Sequence, residues 1–321
     1  SWTDAVRTNA TRFYNWQKRL YKDGGIFLDI TSCTLCPRQC GVSRIQPPYG
    51  VCGMPQEAVV ARAALHFGEE PCISGTNGSG TVFFSGCPLR CRFCQNAPIS
   101  HNRFGKRITA NRLADIFREL VAQGAHNINL VNPTMFVPII LEALSQYRPP
   151  VPVVYNSSGY ERVETIRALA GAVDVYLPDL KYVDADMAAM LSGAADYFDY
   201  AAPAILEMAK QTGPMQLDEQ GLAVRGTLVR HLVLPGYTRA SLRVLDWLAD
   251  NLPHGTWVSL LFQYTPVCPL PDFPPLNRRL TARECNKVWQ YMVDKGLTDG
   301  YVQERESADA AYIPTFDLTG V

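Results

Sequence analysis

The rhythm of apolar and polar positions changes near residue 80. Beyond it, short apolar runs alternate with longer stretches whose apolar residues recur every three or four positions. The runs 81–85, 127–131, 151–156, 173–178, 227–234 and 257–262 are nearly continuous, as expected of strands covered on both faces in a parallel sheet. Helical spacing marks 110–122, 136–146, 162–170, 185–210 and 240–251, with a last helix over 282–295. Thr109 stands where it can cap the first of these. Six strands, each followed by a helix or a long connection, predict an α/β fold: a partial (β/α)6 barrel that does not close. Right-handed crossovers would set the strands side by side in chain order. Eight such units, a full barrel, need more chain than is left.

The part before residue 80 reads differently. Residues 3–22 have helical spacing, with Phe13, Trp16 and Leu20 on one face, and a cysteine-rich segment follows. A Gly- and Ser-rich stretch, 73–80, then leads into the strands. The chain is thus expected to divide into a cysteine-rich module over 1–75 and the barrel with its C-terminal helix over 76–321. His66, Glu69 and Glu70 lie in a polar turn between the two, expected to be a solvated connector, with a bridge from module to active site as the alternative.

Charge narrows the function classes. Thirty basic residues balance thirty acidic ones, so no overall basic character advertises nucleic acid. No apolar run approaches the roughly eighteen residues of a membrane span. No secretory h-region is visible, and the first residue is Ser1 rather than Met, so the natural start is expected upstream.

Ten cysteines are many for such a chain, and seven of them fall into two tight groups. Clustering of this kind without a signal peptide favours metal binding in a reducing, cytoplasmic setting over disulfides. Cys87, Cys91 and Cys94 have spacings of four and three positions and no fourth cysteine beside them. Such a loop can ligate three irons of a [4Fe–4S] cubane and leave the fourth open, unlike the four-cysteine ferredoxin pattern. The alternatives are a zinc loop, although structural zinc usually has four protein ligands, or three unrelated buried cysteines. Cys33, Cys36, Cys40 and Cys52 would close a second centre, either an auxiliary iron–sulfur cluster or zinc, or hold no metal. Cys72, Cys268 and Cys285 stand alone and are expected to be structural.

The run Cys87-x3-Cys91-x-Phe93-Cys94, trailed by Gln95-Asn96, resembles the signature of the radical S-adenosylmethionine (radical SAM) enzymes, in particular the pyruvate formate-lyase activating enzyme group. The four-cysteine segment makes it more similar to an uncharacterised branch of that group. The resemblance implies that the amino and carboxylate groups of SAM bind the open iron. It also implies that one electron splits SAM to a 5′-deoxyadenosyl radical, which takes a hydrogen atom from the substrate.

Ligands of a parallel barrel gather at the C-terminal ends of its strands. After the second strand, Asn132 and Thr134 stand where activating enzymes carry Gly-Gly-Glu, so this chain departs from them there. After the third, Asn156, Ser157 and Gly159 lie in a turn that can approach a ligand. Asp179-Leu180-Lys181, after the fourth, resembles the Asp-x-Lys of glycyl-radical activating enzymes, and side chains two apart on a strand share a face. Arg230, in a segment similar to their Arg-x-Val-Val-x-Pro-Gly, is expected to fork onto a carboxylate of SAM, with His231 on the opposite face. Gln263 and Tyr264 are expected near the substrate mouth.

The resemblance therefore implies a radical SAM oxidoreductase served by a low-potential donor of flavodoxin or ferredoxin type. Its substrate would be a glycine on a partner protein or a small molecule. A non-catalytic iron–sulfur or zinc protein for electron transfer or partner binding is the alternative. No nucleic-acid or membrane partner is expected.

Overall fold

The computed structural model describes residues 30–303 and 314–321. The helix expected over 3–22 lies outside them. Ten strands join one sheet. In chain order they are β1 (Ala58–His66), β2 (Ser79–Phe84), β3 (Lys106–Ile108), β4 (Ile128–Val131), β5 (Val153–Ser157), β6 (Val175–Pro178), β7 (Gln216–Leu217), β8 (Ala223–Leu232), β9 (Trp257–Leu261) and β10 (Gly300–Gln303). The six expected strands are β2, β4, β5, β6, β8 and β9, neighbours in that order and all parallel. The path of the sheet is linear, so the barrel is open, as the spacing of the six runs predicts.

Four strands were not visible in the apolar pattern. β1 pairs antiparallel with β2 and with β3 at one edge, β10 extends the other in parallel with β9, and the two-residue β7 pairs with β8. β1, taken from the sequence as part of the N-terminal module, therefore extends the barrel's own sheet. Its sequence, Ala-Val-Val-Ala-Arg-Ala-Ala-Leu-His, lacks the bulky branched runs of the central strands.

The helices cover the outer face. Ala110–Ala122 buries Leu113, Ile116, Phe117 and Leu120, and Thr109 caps it by accepting from Arg112 N (3.3 Å). The last helix, Ala282–Asp294, starts with a capping box between Thr281 and Glu284. The single helix expected over 185–210 is instead two, Ala185–Ser192 and Tyr197–Thr212. Gly193 stops the first in the left-handed region (φ 66°), where glycine carries no Cβ penalty.

Inside the barrel, the short helical turn Pro71–Ser74 forms a plug. Its Cys72 and Ile73 pack on Val154, Val175, Leu177 and Leu228. Glu69 and Glu70, just before it, are carried inward, which overturns the expectation of a solvated connector: Glu70 is 0% exposed. Cys72 and Cys285 are buried as expected, whereas Cys268 is exposed.

Candidate active site

The loop after β2 carries Cys87, Cys91 and Cys94. It leaves the strand through Gly86, at φ 79°, where a Cβ would strike the Met54 side chain. Asn132 Nδ2 donates to the Gly86 carbonyl, and Arg90 N and Arg92 N donate to the carbonyls of Ser192 and Leu191 (both 2.9 Å). Each sulfur meets a polar hydrogen or hydroxyl. Leu89 N donates to Cys87 Sγ (3.4 Å), while Cys91 and Cys94 Sγ contact the hydroxyls of Ser192 (3.0 Å) and Ser100 (3.2 Å). Burial pushes the Cys87 thiol well up, and the neighbouring Cys91 and Cys94 push it further. Burial also raises Cys91, although Lys181 opposes it. Buried Cys87 and Cys91 are costly as free thiolates, and a cationic iron–sulfur core compensates that cost, so a donor set of these two with Cys94 beside them suits a cluster.

A cavity of about 290 Å³ opens beside Cys91 and Cys94, at the low end of small-molecule sites. Its walls bring together Asn156 from β5, Asp179 and Lys181 after β6, and Arg230 from β8, along with Gln95, Asn96 and Gln263. Asp179 and Lys181 do face the same way, with Nζ 2.5 Å from Oδ2. Burial works against the Lys181 charge, but Asp179 outweighs it, so the group stays an ammonium well above the ordinary lysine range. Tyr197 OH donates toward the carbonyls of Ser158 and Asp179 and accepts from Lys181 N, tying the ends of β5 and β6 together.

Arg230 lines this cavity, but its fork is already engaged. Its Nε donates to Glu70 Oε1 (2.9 Å), and its Nη2 reaches both Glu70 and Glu69. Asn129 and Asn156 also donate to Glu69 Oε1, at 3.1 and 3.4 Å. The carboxylate that meets this arginine thus comes from the chain's own plug, a partner that strand periodicity does not report. His231 points away, with its ring nitrogens on Leu180 O (2.7 Å) and Ser241 Oγ (2.9 Å); burial lowers its pKa to about 4.

Three expected ligands are not on the cavity wall. Asn132 takes a left-handed turn (φ 58°) and secures the cysteine loop. Thr134 Oγ1 donates to Glu161 Oε1 (2.6 Å), and Ser157 Oγ accepts from Gly159 N (3.2 Å). Glu161, which no motif or periodicity singles out, is wholly buried, and burial raises its pKa to about 7. Gly159 does serve a close approach, but to protein: at φ 77° its missing Cβ would strike the Asp179 carbonyl. Tyr264 is buried, donating to Leu276 O (2.7 Å), rather than lining the mouth.

The four N-terminal cysteines also come together. Cys33, Cys36, Cys40 and Cys52 line one small enclosed pocket with Leu35, Met54, Met135 and Arg44. Gly50 leaves room for the Cys40 sulfur, which a Cβ would approach to 2.8 Å, and Val51 N donates to it (3.5 Å). Burial, with the other three thiols, pushes Cys36 up to about 12. Burial likewise raises Cys52, with Arg44 opposing. Among the described residues no three His, Cys, Asp or Glu side chains close on a single-ion site. Thiols spread over the separate irons of a cubane need not do so.

An open parallel barrel with a three-cysteine loop at the C-terminal end of its first parallel strand defines an iron–sulfur protein of the radical SAM class. Residues 81–248, just over half of the chain, match the family model of the Radical SAM superfamily. A protein of Methanocaldococcus jannaschii, described as uncharacterized, is 32% identical over 266 residues, covering 80% of this chain and 73% of its own. The chain belongs to the radical SAM superfamily. Solved structures give distant likenesses. One is a domain of the pyruvate-formate lyase-activating enzyme of Bacteroides vulgatus, with 15% identity and a TM-score of 0.38 over 54% of this chain and 91% of that one. Another is a radical SAM methyltransferase of Sphaerobacter thermophilus, with 17% identity and a TM-score of 0.47 over 70% and 66%. At these scores neither bears on the substrate. No helix among the described residues is long and apolar enough to cross a membrane.

Proposed function

We propose that Cys87, Cys91 and Cys94 hold a [4Fe–4S] cluster with one open iron, and that the adjoining cavity holds SAM in a glycyl-radical-activase-like oxidoreductase. When bound, the pair supplies one-electron cleavage of SAM and a radical able to take a hydrogen atom. The observation that carries this is the joining of three crowded thiols, Cys87 and Cys91 buried and Cys94 half-buried, to a polar cavity at the mouth of an open barrel. Asn156 and the Asp179–Lys181 pair offer hydrogen bonds and both charges to the zwitterionic end and ribose of SAM; Arg230 fixes the carboxylates beneath them. Asn132, Thr134 and Ser157 act one step back, by holding the cysteine loop and the β5 turn.

The Asp179-x-Lys181 likeness supports hydrogen abstraction from a glycine of a partner protein. Cys33, Cys36, Cys40 and Cys52 hold a second metal centre in a reducing, cytoplasmic setting. Their crowding in one pocket supports it, and iron and zinc counts on anaerobically purified protein assign the metal. The test of the enzyme is anaerobic reconstitution, then SAM and dithionite, with 5′-deoxyadenosine as the readout. Iron-loaded protein that never forms it would favour a non-catalytic electron-transfer or binding protein.

A further inference from the structure

We propose that the surface bearing Arg90, Arg103 and Arg107, over the two cysteine groups, docks an acidic one-electron donor protein of flavodoxin or ferredoxin type. The proposal rests on the radical SAM reading, since that chemistry draws an electron from outside the chain.

The charges of the chain balance overall but not locally. No Asp or Glu occurs between Glu70 and Asp115, and none occurs from residue 30 to 56. The fold brings these two acid-free segments together. Arg90 Nη2 reaches Val51 O (2.5 Å), Arg38 Nε reaches Pro88 O (2.9 Å), and Arg107 Nη2 reaches Tyr49 OH (3.3 Å) while stacking on that ring. The Arg103 guanidinium lies against Gly53.

Arg103 and Arg107 are exposed and Arg90 half-buried, and among the described residues none has a carboxylate partner. Elsewhere on the surface Arg62, Arg118, Arg243 and Arg278 are ion-paired. Carbonyl and hydroxyl partners leave a guanidinium's charge uncancelled, so the face carries a positive field that steers an acidic partner. Ile45, Val51 and Phe104, 54%, 40% and 42% exposed, lie in the same two segments and give the apolar area that an interface centre uses.

Both cysteine groups lie just beneath. Val51, which receives Arg90, donates to Cys40 Sγ, and Gly86, next to Cys87, packs against the carbonyl of Cys52. Electron tunnelling falls steeply with distance, so a donor seated here has a short route inward. With a cluster held by these cysteines, one electron would pass from the donor's flavin or iron–sulfur group to it, with no bond made or broken.

The test measures binding of a purified acidic flavodoxin, and separately of a plant-type ferredoxin, to the reconstituted holoenzyme by calorimetry at low and high salt. Binding by at least one, weakened by salt and reduced tenfold or more in Arg103→Glu/Arg107→Glu, is the expected result. Arg107→Glu alone, which leaves the Gly53 contact intact, should lose several-fold. Lys210→Glu/Arg239→Glu, exposed charges elsewhere, should bind like the parent. Dithionite-driven 5′-deoxyadenosine formation should be unchanged in all of these. Equal donor binding by the parent and Arg103→Glu/Arg107→Glu, or no binding of either donor by the parent, overturns the proposal. Failure of the parent with dithionite would instead count against the enzymatic reading, and the binding comparison would still stand.

Discussion

Arg230 and Glu70, 160 residues apart in sequence, close on each other inside the barrel, with Nε 2.9 Å from Oε1. One comes from β8 and the other from the entry to the plug at Pro71–Ser74. Burial alone would raise the Glu70 pKa, but Arg230 outweighs it and holds the carboxyl below its usual range. The pair therefore stabilises the fold at neutral pH, and its contribution is lost as pH falls through that depressed value.

Removing Glu70 takes the carboxylate from the Arg230 Nε and leaves Glu69 alone facing the buried guanidinium. Glu70→Ala is expected to lower the unfolding free energy by about 3–5 kcal/mol, measured by denaturant unfolding. Replacing Glu69, Glu70 and Arg230 together with apolar residues of similar size should recover most of that loss. An unchanged midpoint in Glu70→Ala would contradict the ion-paired plug.

Glu161 has the opposite sign. Burial raises its carboxyl from 4.5 to about 7, so between those values the folded chain keeps a proton that the unfolded chain has lost. Stability should fall as pH rises through that window and level off above it. Glu161→Gln should flatten this dependence and add up to roughly 3 kcal/mol at pH 8, read from unfolding midpoints across pH. A wild-type profile in the variant would show that the group does not titrate there.

Gly159→Ala would put a Cβ into the Asp179 carbonyl at a left-handed backbone position. The expected cost is about 1–3 kcal/mol of stability. Displacing Asp179 and Lys181 should also weaken SAM binding about tenfold, or ~1.4 kcal/mol, by calorimetry on the reconstituted protein.

The two cysteine groups should be separable. Cys91→Ala is expected to lose the irons of the 87–94 loop and all 5′-deoxyadenosine formation. Cys36→Ala should lose the metal of the N-terminal group while the loop keeps its irons. Metal counts per chain check both, and a Cys36→Ala protein with full metal content would remove the second centre.

The sequence by itself determined the six parallel strands and most of their helices, because residues buried on both faces leave unbroken apolar runs and helical faces leave a period near 3.6. It also placed the three-cysteine loop and the Asp179–Lys181 pair, since spacings of two to four residues specify local geometry wherever the segment lies. Only the tertiary structure decided what meets across the barrel. Periodicity says which side a residue faces but not what faces it, so it aims the Arg230 guanidinium inward while leaving its partners, Glu69 and Glu70, to read as solvated residues. The same holds for Asn132 and Thr134, whose hydrogen bonds run to neighbouring loops, for Ser157, whose hydroxyl accepts within its own turn, and for the flanking strands β1, β3 and β10, whose short or small-residue sequences become strands through pairing with a sheet already in place.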